Sequence, residues 1–375
     1  MSKRDPAQIL ESLYSRAGSS PAKIAIKHTK IRERIEYVAK CISNRAGVRL
    51  LMSCMLAKID RPEIDPRCPY TEIAGEKSFS GRHYDEQYLT SFINKFHLPC
   101  NSTTAFLTPA LRNMDAPLTK NTVIVGRPAQ VYSDTLTLLD DVAKEKIGAE
   151  EVLTETLRCL IALRDERKAR IQSLMSEISR AKGALPLSSE GIVHLIEQHL
   201  SSPNSSRLPV LVVAAAYKAA ADMLGERALP LKSHNAADSS TGALGDVEIC
   251  LTNENEIVTI YEMKNKRVSI NDVDRALSKI HSKRKVDNYI FITTDGIDQD
   301  VREYAREQYE LTGGVEIGIL DCLGFLRHFL HLFHRIRSEF IDAYQDLLLA
   351  EPESAVNQPL KEAFLSLRQA AIAAD

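Results

Sequence analysis

The chain lacks most of the features that would assign it at once. Its longest apolar run, Leu208–Tyr217, falls well short of the roughly 20 residues needed to cross a bilayer, so no membrane partner is expected. The opening residues, MSKRDPAQIL, turn polar immediately and carry no apolar core of a secretory signal. Seven cysteines are scattered without a CxxC pair, which argues against a disulfide framework or a zinc site and for a reducing cytoplasm. Neither a GxxxxGKS/T phosphate loop nor a methyltransferase-type Gly-rich loop is evident, which disfavours ATP-driven or bifunctional forms. With 375 residues, 44% apolar and 26% charged, the chain reads as a soluble globular protein long enough for two domains.

Net charge is also scarce, at −2, but it is unevenly placed. Residues 1–185 carry 29 Lys+Arg against 22 Asp+Glu, a net of +7, whereas residues 186–375 carry 19 against 28, a net of −9. A basic half suits sequence-independent attraction to phosphates. Two solvated faces that happen to differ is the other reading of the same numbers.

The most informative stretch is Thr241–Arg267, TGALGDVEICLTNENEIVTIYEMKNKR. The apolar runs Val247–Leu251 and Ile257–Met263 flank the turn Thr252–Asn255, which predicts a β-hairpin. Residues two apart on a strand face the same way, so Glu262 and Lys264 project together and Asp246, on the paired strand, can join them. Two carboxylates, Asp246 and Glu262, make a hard-oxygen set for Mg²⁺, which keeps waters for a phosphate substrate. Lys264 can position a water or stabilise developing charge. Gly245-Asp246, fifteen intervening residues and Glu262-Met263-Lys264 follow the PD-(D/E)xK nuclease signature, with Gly245 where that name has Pro. On its own this motif is short, and a surface hairpin with a Glu/Lys ion pair would look the same.

The flanking pattern favours the nuclease reading. Leu208–Leu224 reads as a buried, alanine-rich helix, Ile270–Lys285 as an amphipathic helix, and Asn288–Thr294 as a buried strand. Beyond these, Asp298–Leu311 reads as a helix, Val315–Leu320 as a strand and Gly324–Leu349 as one long helix. The run HNAADSSTGALGDVEI…IVTIYEMKNKRVSINDVDRALSKI resembles the catalytic region of type II restriction endonucleases, and most of all the SacI family. Asp65–Asn113 resembles the amino-terminal segment of the same group. This resemblance implies an α/β (α+β) PD-(D/E)xK core, a mixed central sheet flanked by helices, behind a largely helical N-terminal domain. It also implies Mg²⁺-dependent cleavage of both strands of a palindromic double-stranded DNA site by a homodimer. A cognate DNA methyltransferase is expected in the same system, though not as a stable subunit. Nucleases of this class often take one more acid from a helix ahead of the sheet; Glu197 or Glu190 could supply it, and Glu248 shares a strand face with Asp246.

Contacts to DNA are sought among basic residues near these features. Arg275, Lys279, Lys283, Arg284 and Lys285 follow close behind Lys264, Lys266 and Arg267, and this cluster, with Lys266, Arg267, Lys283 and Arg284 foremost, suits a docked phosphate backbone. Arg82, on the glycine-loosened turn Ser78–Tyr84, suits guanine or phosphate, or else an ion pair with Asp85 or Glu86. Tyr70, Phe79, His83, Tyr84 and Tyr88 are expected to supply aromatic surface around it. Elsewhere, Gly47 is expected to break a helix, Ser133 to cap one over 134–147, and Val123–Gly126 to form a strand. A helix from Ala149 to about Lys182 carries a seam at Leu153, Leu157, Leu160, Arg164, Arg167, Ile171, Leu174 and Ile178. An internal helix pair and a dimer contact are both open for that seam. The expected divisions are 1–185, a mainly helical recognition domain; 186–350, the catalytic domain; and 351–375, a mobile or loosely packed tail. Rival readings are a repair or junction-resolving nuclease with the same core and a DNA-binding protein without catalysis.

Overall fold

The structure is a computed structural model that describes residues 5–19, 26, 28–73, 75–101, 103–112, 114–180, 185–231, 244–280 and 286–374. It divides into two compact units, Met1–Ala169 and Arg170–Asp375. The division falls inside one long helix, not at Gly183–Pro186. The reason lies in the seam: Leu153, Leu157 and Leu160 are buried in the first core, while Ile171, Leu174 and Ile178 pack on the second. The seam therefore serves internal packing.

The first unit is helical among its described residues: α1 Pro6–Ser19, α2 Thr29–Lys40, α3 Ala46–Asp60, α4 Gly81–Tyr84, α5 Thr90–Lys95, α6 Ala129–Ala143 and the first part of α7, Ala149–Arg180. A π-helical turn, Asp85–Leu89, joins α4 to α5. Every residue of α3 from Ala46 to Ala57 is buried, so this helix is the centre of the core. Gly47 lies within α3 and does not break it. A Cβ there would stand 2.2 Å from Val131 Cγ1 of α6, so the glycine permits the helices' close approach. The helix expected to start after Ser133 begins earlier, at Ala129, behind Pro128. Val123–Gly126 forms no strand; Val123 and Val125 are exposed there. Tyr70, Phe79 and Tyr84, expected at the surface, are buried core residues instead.

The second unit is built on a five-stranded sheet in the order β1 Glu226–Ala228, β2 Val247–Leu251, β3 Ile257–Lys264, β4 Asn288–Thr293 and β5 Glu316–Asp321. β1, β2 and β3 pair antiparallel, and β3, β4 and β5 parallel, so the sheet is mixed. The hairpin lies where the apolar runs placed it. β1 had no counterpart in the sequence reading, because three half-buried residues leave no alternation to detect. Alternation along the strands sends Val247, Ile249, Tyr261 and Ile292 into one core and Ile260, Tyr289, Phe291, Ile317 and Ile319 into another. The first core is completed by α8 Ser189–Leu200, α9 Leu208–Leu224 and three C-terminal helices, the second by α10 Ile270–Ile280 and α11 Gln299–Leu311.

Two C-terminal expectations are corrected. The single long helix is in fact α12 Cys322–Leu332 and α13 Arg337–Ala350, separated by a 3-10 turn at His334–Ile336. The tail is a packed helix, α14 Gln358–Ala374, with Leu360, Phe364 and Leu365 buried. His199 of α8 ties this helix down: its Nε2 donates to the Leu360 carbonyl at 2.9 Å, and its Nδ1 accepts from the Tyr344 hydroxyl at 3.0 Å.

Candidate active site

Period two places Ile260, Glu262 and Lys264 on the face of β3 that meets α10, opposite Tyr261 and Met263. Asp246 enters the same region from the chain ahead of β2. Its amide donates to the Tyr261 carbonyl at 2.8 Å, and its Oδ2 accepts from the Met263 amide at 2.8 Å. These bonds engage the residues on either side of Glu262 and so hold Asp246 across from it. Gly245 makes the approach possible. A Cβ there would stand 2.7 Å from the Tyr261 carbonyl oxygen and 2.5 Å from Ile260 Cγ2. Proline carries that Cβ, which explains why glycine occupies the position.

Glu262 is the centre of a charged cluster. Lys264 Nζ is 2.5 Å from its Oε1 and Lys279 Nζ, from α10, is 3.0 Å from its Oε2. The Tyr289 hydroxyl, from β4, donates to Oε2 and lies 3.3 Å from the Leu244 carbonyl. Burial pushes the Glu262 carboxyl up, but the hydrogen bonds from Lys264 and Tyr289 and the charges of Lys264 and Lys279 hold it below the usual value. Lys264 also reaches Asp272 Oδ1 at 3.2 Å. Asp272 Oδ2 accepts from the Ser269 hydroxyl at 2.7 Å and its amide at 3.0 Å, and Oδ1 accepts from Arg275 at 2.7 Å. Burial alone would raise the Asp272 carboxyl; the bonds from Ser269 and the Lys264 charge outweigh it and leave it lowered to about 2.

Asp272 and Tyr289 were missed in the sequence, and Lys279, expected in the basic cluster facing phosphate, pairs with Glu262 instead. A signal for Asp272 existed: Ser269-x-x-Asp272 ahead of an apolar run is a helix-start pattern. No such signal marks Tyr289, whose register opposite Ile260 is a tertiary fact.

The remaining candidates fall in several places. Glu248 is buried on the Asp246 face, where its Oε1 accepts from the Leu244 amide at 2.8 Å. α8, with Glu190 and Glu197, packs on the opposite face of the sheet from Glu262. Glu190 pairs there with Arg327 at 3.1 Å and His331 at 2.9 Å. Glu197 lines a cavity of about 730 Å³ at the carboxyl ends of β3, β4 and β5, with Asn265, Thr294 and Asp321. Lys266 is exposed just past β3, whereas Arg267 is paired with Asp298 at 2.6 Å. Lys283 and Arg284 lie outside the described residues. Arg82, in the first unit, pairs with Glu86 at 2.8 Å with both side chains about half exposed; Asp85 is taken by Arg49 instead.

Asp246 and Glu262 fit a Mg²⁺ ion by donor chemistry: both are carboxylates on one face, and this ion needs one or two protein ligands beside its waters. Among the described residues no group of three or more His, Cys, Asp or Glu is gathered as a fuller metal cage. No helix among those residues is long and apolar enough to cross a membrane.

No curated protein matches the chain. Residues 187–296, which run from just before α8 to just past β4, match a family model, and this segment holds Asp246, Glu262, Lys264 and Asp272. The match stops short of Asp65–Asn113. Over residues 187–296 the chain is similar to the SacI restriction endonuclease C-terminal domain, the family to which its hairpin pointed, and this supports a nuclease acting on DNA.

Proposed function

We propose that the protein is a Mg²⁺-dependent type II restriction endonuclease that hydrolyses both strands of a palindromic DNA site. The observation that carries this reading is the gathering of Asp246, Glu262 and Lys264 on one sheet face inside the matched segment. In this reading the three form a PD-(D/E)xK centre. Asp246 and Glu262 would hold the divalent ion, which would supply Lewis-acid polarisation of the phosphodiester. Lys264 presents its ammonium to the charge that develops on the phosphate, and the partly buried setting strengthens that interaction. Glu262 must exchange at least one cation now bonded to it for the ion. Lys266, Arg267 and Arg82 are proposed to contact the DNA backbone or base edges, with Arg82 and Arg267 leaving Glu86 and Asp298 to do so. Two copies of the chain supply one centre per strand of the symmetric site, and a methyltransferase protects the host's own sites.

Plasmid DNA incubated with the protein should give discrete fragments with Mg²⁺ alone, without nucleotide, and none in excess EDTA. End sequencing would then read the site and its symmetry. Discrete fragments in EDTA, or none under any metal, would overturn the reading.

A further inference from the structure

We propose that Asp272 is the positioning residue for Lys264, an inference that rests on the catalytic reading of Asp246, Glu262 and Lys264. Lys264 is gripped from two sides, by Glu262 at 2.5 Å and by Asp272 at 3.2 Å. The two carboxylates are not equivalent. Glu262 is a ligand of the divalent ion in the proposed reaction, so its grip on Lys264 loosens when the ion arrives. Asp272 has no such second duty. Its side chain is wholly buried, while those of Glu262 and Lys264 are partly open, and so it cannot itself touch DNA.

Asp272 is also fixed in place. Ser269 donates twice to Oδ2, from its amide and its hydroxyl, which locks the carboxylate to the first turn of α10. Oδ1 then faces Arg275 and Lys264. A lysine at a strand end carries a long, flexible, rotamer-rich stem. Catalysis by a charged group requires that it be held where charge will develop before the reaction starts. α10 therefore does more than cover the sheet: its first turn carries the anchor that keeps the lysine aimed once Glu262 has turned to the ion.

The simpler role for Asp272 is to start α10, and the test separates the two. Asp272→Asn keeps an acceptor for Ser269 but removes the charge facing Lys264. Ser269→Ala removes one helix-start bond and leaves the Lys264 contact. Single-turnover cleavage with Mg²⁺ should fall by ten- to hundredfold in Asp272→Asn, with DNA affinity in Ca²⁺ within twofold of the parent. Ser269→Ala, which loosens Asp272 but keeps its charge and the bond from the Ser269 amide, should lower the thermal midpoint and slow cleavage less than Asp272→Asn does. In metal-free protein, acetylation of Lys264 followed by peptide mass should rise several-fold in Asp272→Asn. The decisive comparison is a double-mutant cycle. If Asp272 acts through Lys264, Asp272→Asn should not slow the residual cleavage of Lys264→Ala any further. Should Asp272→Asn fold poorly, Asp272→Glu keeps the charge one methylene away and should cut at an intermediate rate. Parent-like cleavage and Lys264 labelling in Asp272→Asn, while Lys264→Ala is inactive, would overturn the inference alone. Parent-like cleavage by Lys264→Ala would overturn both the inference and the catalytic reading.

Discussion

Two charged clusters in this chain are built on opposite plans. In the first unit Arg49 and Asp85 form an ion pair with neither side chain exposed. Its hydrogen bonds are shared out within the protein. Arg49 donates to Asp85, to the Asn101 carbonyl and to Thr90, and Asp85 Oδ2 accepts from Thr104 at 2.6 Å and the Ala105 amide at 2.8 Å. In the second unit Glu262, Lys264 and Lys279 are each partly open, and two cations and a tyrosine crowd onto one carboxylate. The first arrangement stitches α3 to the π turn and to the following loop, and it leaves no vertex for a ligand. Partners in the second can be exchanged one for another, as the proposed admission of an ion and a phosphate requires. Buried charge thus closes the architecture in the first unit, while in the second one side stays accessible, which suits the chemistry proposed there.

The sharpest way to test this contrast is to alter each cluster and see which property collapses. Asp246→Asn keeps the acceptor for the Met263 amide while removing a charge from the open cluster. Mg²⁺-dependent plasmid cleavage should fall by about four orders of magnitude, on the order of 5 kcal/mol in activation free energy. The urea midpoint should stay near that of the parent. A parent-like rate would remove Asp246 from the centre. Arg49→Met should do the reverse, leaving Asp85 buried without its cation and costing about 3–5 kcal/mol in urea unfolding. Adding Asp85→Asn should recover much of that loss, because the uncompensated charge goes and the acceptor for Thr104 and Ala105 stays. Equal stability of the parent and Arg49→Met would mean that the closed pair is not structural.

His199 supplies the third and smallest effect, and it is one that pH reveals. Burial lowers its imidazole to about 4, against the opposing hydrogen bond to the Leu360 carbonyl. The folded state therefore binds fewer protons than the unfolded chain between that value and the ordinary pKa of about 6.5. Its contribution is fully present above the unfolded value and is lost as pH falls towards 4, by about 3 kcal/mol. His199→Gln should flatten that part of the profile. Urea midpoints of the two proteins at pH 7, 5.5 and 4.5 would show it; parallel profiles would exclude His199 as the cause. Because His199 joins α8 to α13 and α14, the C-terminal helix should be the first part to gain hydrogen exchange in acid.

What the sequence determined by itself is what short-range chemistry encodes. The apolar runs Val247–Leu251 and Ile257–Met263 about the turn Thr252–Asn255 sufficed to place the hairpin, and the period of two put Glu262 and Lys264 on one face. The alanine-rich run Leu208–Leu224 marked a buried helix to the residue, with Gly225 in the left-handed conformation at its end. Such patterns depend on neighbours a few residues apart, and they survive in a linear reading. Tertiary structure decided the partners. Asp272 approaches Lys264 because α10 folds back over β3, and Tyr289 reaches Glu262 because β4 pairs with β3 in one particular register. Arg49 and Asp85 lie 36 positions apart, and the segment after Glu351 is a packed helix because Phe364 and Leu365 find the core beside α8. An ion pair or a buried aromatic is specified by what packing brings within reach, and no local periodicity records that distance.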